Sequence, residues 1–163
     1  LMEVAEGLDT GGVHARVEVP IRSTDTADGL RERLGIVGAQ LLVDSLEGGL
    51  SAPAPQEGIA THAHKLHRED LALDWERPAT ELERLVRVGG AWTTFRGGDL
   101  KVWSAEGVDE AVSGPPGTMS GDLVATGERS LRLLEVQPAN RSRMEASSWL
   151  GGARPSAGEG LGG

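Results

Sequence analysis

Residues 60–75 read ATHAHKLHREDLALDW and separate two parts of the chain that differ in composition. The part ahead of this stretch contains no tryptophan and no phenylalanine. All four tryptophans and the only phenylalanine lie at its end or beyond it, at Trp75, Trp92, Phe95, Trp103 and Trp149. Large aromatic side chains supply much of the apolar area of a core. The later part is therefore predicted to build a core of its own, and the quoted stretch is its connector.

Composition and charge exclude several kinds of site. The 163 residues include no cysteine, which excludes disulfides, thiol nucleophiles and cysteine-ligated zinc. The net charge of −9 argues against a generally basic coat for nucleic acid, because phosphates are bound by lysine and arginine. Residues 1–58 hold ten acidic and four basic side chains, while residues 59–163 hold fifteen and twelve. A local basic patch is therefore compatible with the later part.

The sequence shows no sign of membrane insertion or export. No apolar run approaches the roughly 18 residues of a membrane span, and the start lacks a basic and then apolar signal pattern. We therefore expect no membrane partner and a cytoplasmic location. The chain opens on Leu1, in what looks like the end of a strand, which suggests a fragment of a longer protein.

The early part predicts a strand, a loop, a second strand and a helix. Residues 6–12, EGLDTGG, predict a loop whose backbone comes close to another group, with a plain surface turn as the alternative. Residues 13–21 alternate apolar and polar side chains, which is typical of a strand. Capping residues at 24–28 and leucines at helical spacing over 30–46 predict a helix that ends at Gly48-Gly49. Its apolar stripe is expected to be exposed unless further strands cover it.

Three histidines in the connector raise the question of a metal site. His62, His64 and His67 lie two, three and five residues apart, and no carboxylate is placed to complete a ligand set. A helical zinc site needs two histidines four residues apart on one face. We therefore predict no metal, and histidines that are solvated or locally hydrogen-bonded.

The later part predicts one helix and then a series of short strands. Pro78 suits the first turn of a helix that runs to about Val88. Short apolar runs separated by glycine and proline turns follow over residues 91–137, which favours a small closed or partly closed barrel. A last helical turn is expected at 144–150, and a frayed tail follows it.

Several motifs, taken in order, resemble one known family. After the connector come AWTTF at 91–95, LKVW at 100–103, PGT at 116–118, VATG at 124–127 and LLEVQPANRSRM at 133–144. Together they resemble the carboxyl half of methionyl-tRNA formyltransferase. The earlier GLDTGG at 7–12, with the strand and capped helix that follow, is similar to the last part of that family's formyltransferase domain. The resemblance extends to about Arg154.

The resemblance implies an α+β architecture with four segments. Residues 1–50 would be the remnant of a Rossmann-like formyltransferase domain (strand, loop, strand, helix), and residues 51–75 a linker. Residues 76–154 would form an OB-like β-barrel that binds tRNA. Residues 155–163 would be a flexible tail. The interval between the PGT and VATG motifs is shorter than is usual in the family, which implies a trimmed hairpin at one edge of the barrel.

The family's activity is the transfer of a formyl group from 10-formyltetrahydrofolate to the amino group of methionine on initiator tRNA. By the motif match, Asp9 is the catalytic carboxylate, and Glu6, Gly7 and Leu8 border the folate pterin. The catalytic Asn and His of the family lie upstream of the matched segment, so this chain alone is expected to be inactive. The alternative for Asp9 is an Asx-turn residue that holds the loop.

The same resemblance implies that Lys101, Arg141 and Arg143 bind the tRNA backbone. They would contact phosphates as positioning charges rather than read bases. The alternative is ordinary solvated charges, and the slight acidity of the later part implies weak tRNA binding. Trp92 and Trp103 lie among apolar residues, so we predict that they pack in the core rather than stack on bases.

Two other functions stay open from the sequence. A formyltransferase that acts on an amino sugar nucleotide would share the glycine-rich loop, although the connector and the QPANRSRM stretch favour the tRNA enzyme. A non-catalytic nucleic-acid-binding barrel is the alternative from a different class. The expected partner is initiator methionyl-tRNA, and the expected oligomeric state is a monomer.

Overall fold

The computed structural model describes residues 1–156 and 158–163, which divide into two compact units, Leu1–His64 and Lys65–Gly163. The division falls inside the polar connector. No helix in the described residues combines the length and the apolar content that a membrane crossing requires.

The first unit contains one long helix, α1, over Ala27–Gly48. The side chain of Thr26 caps its first turn by accepting a hydrogen bond from the backbone N–H of Gly29. The helix ends at Gly49, whose φ of 82° is a conformation that favours glycine. None of its residues is buried, and leucine, isoleucine and valine side chains are exposed along it. The capped helix and its uncovered apolar stripe agree with the sequence prediction.

The predicted strand over residues 13–21 is wrong. Of these residues only Val13 takes part in β-bridges, one to Met2 and one to Ala54. Amide and carbonyl of Val13 exchange hydrogen bonds with Ala54 at 2.8 and 2.9 Å. A strand needs a hydrogen-bonded neighbour along its length, and in the described residues this stretch has backbone hydrogen bonds only over its first three residues, between Val13 and Ala54 and from His14 and Ala15 to Leu1. Period-two alternation therefore indicated a strand that the unit does not form.

The second unit consists of a sheet with two helices. Helix α2 covers Ala79–Val88 and helix α3 covers Ala146–Ala153. A 3-10 turn at Glu69–Leu71 lies in the connector. The six strands are β1 Trp92–Phe95, β2 Gly98–Val108, β3 Met119–Ser120, β4 Leu123–Ala125, β5 Ser130–Pro138 and β6 Met144–Glu145.

The sheet is antiparallel and open. Its strand order is β1-β2-β5-β4-β3, and β6 pairs with β5 off this path. The two end strands, β1 and β3, are not paired with each other in the part of the chain that the structure describes. The predicted OB-like barrel is therefore not closed by strand pairing. Strand β3 has only two residues, and the backbone of the chain terminus, rather than β1, bonds to the segment around it.

Helix α2 and the sheet share one core. The buried side of the helix carries Ala79, Leu82 and Val86, at the spacing of one helical face. The sheet contributes residues with almost no exposed surface: Leu100, Val102, Leu131, Leu133 and Val136. Trp75 and Trp149 complete this cluster. The second unit thus has the separate core that the placement of aromatic residues predicted.

The last residues of the chain lie between the two open edges of the sheet. Their backbone bonds to the segment around β3 on one side and to β1 on the other. The three bonds run from the amide of Met119 to the carbonyl of Glu159, from Leu161 to Gly117, and from Gly162 to Thr94, at 2.9, 2.9 and 3.0 Å. The side chain of Leu161 is buried. The prediction of a flexible tail is therefore wrong for these residues. It gave no weight to Leu161, a single leucine in a glycine-rich run.

An ion pair fixes the same segment. The guanidinium of Arg96 donates two hydrogen bonds to the carboxylate of Glu159, at 2.6 and 2.8 Å, and the amide of Ser156 donates a third at 2.8 Å. The hydrogen bonds from Arg96 and then from Ser156 lower the pKa of Glu159 to about 2. Glu159 therefore keeps its charge near neutral pH, and protonation does not release the segment there.

Replacing Leu161 with alanine is expected to destabilise the second unit by about 2 kcal/mol, the lower end of the range for buried leucines. The value is low because a terminal segment can detach without unfolding the rest. Denaturant unfolding followed by tryptophan fluorescence measures this, since all four tryptophans lie in this unit. Leu134→Ala is the control, because Leu134 is 37% exposed on β5. Equal losses for the two variants would show that the segment does not contribute to the core.

Candidate catalytic loop and nucleic-acid-binding surface

The glycine-rich loop of the first unit is held by side chains on either side of it. The amide nitrogen Nε2 of Gln56 donates to the carbonyl oxygens of Asp9 and Gly11, at 2.7 and 2.9 Å. The hydroxyl of Thr10 donates to the carbonyl of Gly7 at 3.0 Å. Asp9 itself has a φ of 53°, in the left-handed region that aspartate and asparagine tolerate better than most residues. The loop is therefore a defined turn.

The backbone approach predicted for this loop is present at Gly11. A Cβ atom added to Gly11 would lie 2.0 Å from the carbonyl oxygen of Glu3, and Gly11 is buried. The next residue, Gly12, accepts a hydrogen bond from the amide of Glu3 at 2.9 Å. Only glycine fits where the two backbone segments are this close.

Asp9 opens onto a groove. The groove has a volume of about 890 Å³. Leu8, Asp9 and Gln56 line it together with the segment up to Ala63. Within the described residues the carboxylate of Asp9 has no hydrogen bond, so an Asx turn does not account for it. Leu8 is 95% exposed.

The remaining residues predicted at this loop lie beside the groove. Glu6 and Gly7 are exposed and are not among the residues that line it. Among the residues that the structure describes, no group of three or more histidine, aspartate or glutamate side chains could hold a metal ion. The rings of His62 and His64 meet edge to face, with centroids 4.8 Å apart.

In the second unit, two of the three predicted tRNA-binding cations meet at one aromatic ring. Lys101 lies on β2, and Arg143 lies just ahead of β6. Nζ of Lys101 is 5.9 Å and Cζ of Arg143 is 5.2 Å from the centre of the Trp103 ring, within the range of cation–π attraction. Both cations are exposed, so they remain accessible to a ligand.

The third cation, Arg141, is tied to the same ring through Gln137. The indole N–H of Trp103 donates to Oε1 of Gln137 at 3.0 Å, and Nε2 of Gln137 donates to the backbone carbonyl of Arg141 at 2.8 Å. The turn that carries Arg141 also contains Asn140, with a φ of 58°. We refer to Lys101, Arg141 and Arg143 as the cation cluster.

One carboxylate lies against the cation cluster. Glu135 on β5 forms an ion pair with Arg143, and the two side chains are 30% and 48% exposed. By contrast, within the described residues the side chains of Lys101 and Arg141 form no ion pair. The sequence did not point to Glu135, because its contact with Arg143 depends on the pairing of β5 with β6.

The predicted core positions of Trp92 and Trp103 are wrong. Both are half-buried, and the fully packed tryptophans are Trp75 and Trp149. Trp103 lies where the register of β2 against β5 shifts, and such a bulge breaks the alternation on which the prediction depended. Cζ of Arg68 lies 3.9 Å from the centre of the Trp92 ring.

Comparison with known proteins gives the family. Residues 65–154 match the family described as the formyl transferase C-terminal domain. The chain belongs to this family. The match begins at the first residue of the second unit and ends one residue after α3. The residues at the chain terminus that bond to β1 and to the segment around β3 therefore lie outside it.

Curated relatives of this formyl transferase chain extend over both units. It is 40% identical to the methionyl-tRNA formyltransferase of Paraburkholderia phymatum, over 98% of this chain and 53% of the relative. It is 35% identical to the enzyme of the same name from Bacillus subtilis, over 99% of this chain and 56% of the relative. The chain thus spans about half the length of the curated relatives it matches.

Solved structures show the same fold. HypX from Aquifex aeolicus, in a multiple variant, superimposes on the formyl transferase chain with a TM-score of 0.71 at 18% identity, over 97% of this chain and 30% of HypX. A second HypX structure, in complex with tetrahydrofolic acid, gives a TM-score of 0.70 at 22% identity and the same coverage. At this identity the likeness concerns the fold alone.

Proposed function

We propose that this chain supplies one catalytic carboxylate and the tRNA-binding part of a methionyl-tRNA formyltransferase. The observation that carries the proposal is the match to enzymes of that name over nearly the whole chain, at 35 to 40% identity. The activity of the whole enzyme is the transfer of a formyl group from 10-formyltetrahydrofolate to the amino group of methionine on initiator tRNA. The whole enzyme is proposed to act in the cytoplasm as a monomer.

Asp9 is proposed to take up the proton that the attacking amine loses. The methionine amine attacks the formyl carbon and loses a proton to Asp9 directly or through water. The bond between the formyl carbon and the folate nitrogen then breaks, and the departing nitrogen takes up a proton, so that the net reaction releases none. Gln56 supports this role because it fixes the backbone on both sides of Thr10 and leaves the carboxylate unpaired at the groove. A positioned proton acceptor contributes about 10²- to 10⁴-fold in rate.

Folate is proposed to lie along the backbone ahead of Asp9. Glu6, Gly7 and Leu8 are exposed there, and the apolar side chain of Leu8 is free to contact a flat ring. The Asn and His that the family resemblance requires would approach this groove, where they would stabilise the oxyanion formed by attack on the formyl group. Losing one such donor costs about 10²- to 10³-fold in rate.

The cation cluster is proposed to bind the phosphate backbone of the tRNA. Its three members are exposed, and two of them meet at Trp103. The second unit is further proposed to act as an OB-like barrel that is built from residues 76–154 and in which the chain terminus beyond them, rather than a strand pair, spans the open edges. Hydrogen bonds from the terminus to both edges support this view.

Replacing all three members of the cation cluster with alanine is expected to lower the salt slope of tRNA binding by up to about three units, because each phosphate contact releases about one counterion. Titrating the 163-residue chain with an initiator tRNA transcript at several salt concentrations measures the slope. A variant with alanine at Arg84, Arg129 and Arg154 is the control, since it loses the same charge at exposed positions elsewhere. An unchanged slope in the first variant, or an equal loss in both, would refute the assignment.

A further inference from the structure

The cation cluster contains a feature that phosphate binding alone does not explain. Two groups hold the side chain of Arg143 at once. Its guanidinium lies near the ring of Trp103, and it forms an ion pair with the carboxylate of Glu135. Trp103 is in turn fixed by its hydrogen bond to Gln137. A long, exposed arginine that is restrained in this way differs from an ordinary solvated charge.

We propose that Trp103 is a positioning residue that preorganises Lys101 and Arg143 for phosphate groups of tRNA, and that Glu135 occupies the place on Arg143 that a phosphate takes over in the complex. This inference rests on the proposed function, since it concerns how the same surface binds its substrate. It adds two residues to this surface: Trp103, which the sequence assigned to the core, and Glu135, which the sequence did not identify.

The ring of Trp103 lowers the entropic cost of binding. Lysine and arginine side chains lose considerable rotamer freedom when a ligand immobilises them. A side chain that is already restrained in the free protein avoids part of this loss, which corresponds to about two- to ten-fold in affinity for each side chain. Trp103 attracts both cations toward a common ring, so both benefit.

Gln137 keeps the ring in the orientation that this role needs. Its side chain accepts from the indole N–H and donates to the carbonyl of Arg141, so it joins the ring to the turn that carries the third cation. The strand register places Gln137 directly opposite Lys101. The side chain of Gln137 therefore connects the ring of Trp103 to the turn at Arg141, and the pairing of β2 with β5 places Lys101 beside them.

Glu135 presents to Arg143 the same chemistry as a phosphate. Both are oxyanions that accept charge-assisted hydrogen bonds from a guanidinium. Binding of tRNA then becomes an exchange of one anion for another, and the carboxylate that is released repels the incoming backbone. Glu135 thus keeps Arg143 in position in the free protein but lowers the affinity for tRNA.

The role of Trp103 is tested by a double-mutant cycle on the 163-residue chain with an initiator tRNA transcript. Trp103→Leu is expected to weaken binding about five-fold or more, while Trp103→Phe keeps a ring and is expected to lose less. In the Lys101→Ala, Arg143→Ala background, Trp103→Leu is expected to have no further effect. An equal loss in both backgrounds would show that Trp103 contacts the RNA directly, for example by stacking on a base, and would overturn the positioning role.

The role of Glu135 has a matched control on the neighbouring strand. Glu135→Gln is expected to tighten tRNA binding about two- to five-fold, because the competing ion pair is removed. Glu145 lies opposite Glu135 in the β5–β6 pair and is exposed, so Glu145→Gln makes the same charge change nearby without releasing Arg143. No tightening by Glu135→Gln, or the same tightening by both variants, would overturn the exchange of anions.

These outcomes separate the inference from the proposed function. If the unsubstituted chain shows no salt-dependent binding of tRNA, the proposed function of this surface fails. If that binding is present and is lost in the variant without the cation cluster, but the cycle shows no coupling and Glu135→Gln has no effect, only the further inference fails. The fluorescence of Trp75 and Trp149, both buried in the core, checks that each variant is folded.

Discussion

Replacing Asp9 with asparagine is expected to lower kcat/KM for methionyl-tRNA about 10²- to 10⁴-fold in the complete enzyme, which is the usual contribution of a positioned proton acceptor. Asparagine is the appropriate substitution because it has nearly the same size as aspartate. It also tolerates the left-handed backbone that Asp9 adopts, at a φ of 53°. The loop is therefore expected to keep its shape while it loses the carboxylate.

The structure of the loop makes this test specific to the charge. Gln56 bonds to the backbone carbonyls of Asp9 and Gly11 and makes no bond to the Asp9 side chain. The Asp9→Asn variant therefore leaves these bonds in place. The rate is measured as formylation of charged initiator tRNA under conditions where kcat and KM can be separated. A loss in kcat with little change in the KM for folate is expected, because the carboxylate acts in the transition state.

A charge-matched control distinguishes this effect from a change in net charge. Glu32 is an exposed residue of α1, and Glu32→Gln removes one negative charge from the same unit. It is expected to leave formylation within about two-fold of the unsubstituted enzyme. If Asp9→Asn also stays within this range, Asp9 is a residue of the turn only and the proton acceptor lies elsewhere.

The helices were predictable from local sequence, whereas the closure of the sheet was not. Helix α1 has its cap at Thr26 and its stop at Gly49, and both are local signals. Closure depends on which edges meet, and this pairing joins residues far apart in the chain. Leu161 bonds to Gly117, and Gly162 bonds to Thr94. No short-range pattern encodes such contacts, so the sequence indicated a barrel where the structure has an open sheet and an inserted terminus.

The candidate site shows the same division between local and distant information. Lys101, Arg141 and Arg143 were found through motifs that are contiguous in sequence. The ring that joins two of them was assigned to the core, because a bulge at Trp103 cannot be seen in a pattern of alternating residues. Glu135 was not identified, since its contact with Arg143 follows from strand pairing.

Gly127→Ala is expected to destabilise the second unit by about 3 kcal/mol or more, because the added methyl group overlaps with backbone. A Cβ atom at Gly127 would lie 1.8 Å from the carbonyl oxygen of Glu76. The amide of Gly127 also donates to the carbonyls of Trp75 and Arg77, at 2.9 and 3.1 Å. The overlap can be relieved only by moving these two segments apart, which lengthens both hydrogen bonds.

The overlap at Gly127 affects the start of α2 as well. The amide of Ala79 donates to the carbonyl of Glu128 at 3.1 Å, and Ala79 and Leu82 are completely buried against the sheet. A shift of residues 76 and 77 therefore moves a helix that cannot move without opening the core. This explains why the last position of the VATG motif requires glycine although Gly127 itself is exposed.

Gly152→Ala is the control that isolates this steric effect. Gly152 lies in α3 with no atom within 4 Å of an added Cβ, so alanine there is expected to be neutral or to stabilise by up to about 1 kcal/mol. Neither glycine has a positive φ, so backbone strain does not distinguish them. Thermal unfolding followed by tryptophan fluorescence should show a loss of roughly 12 to 24 °C for Gly127→Ala. If instead the two variants melt within a few degrees of each other, the contact with Glu76 relaxes without cost and the position does not select glycine for its size.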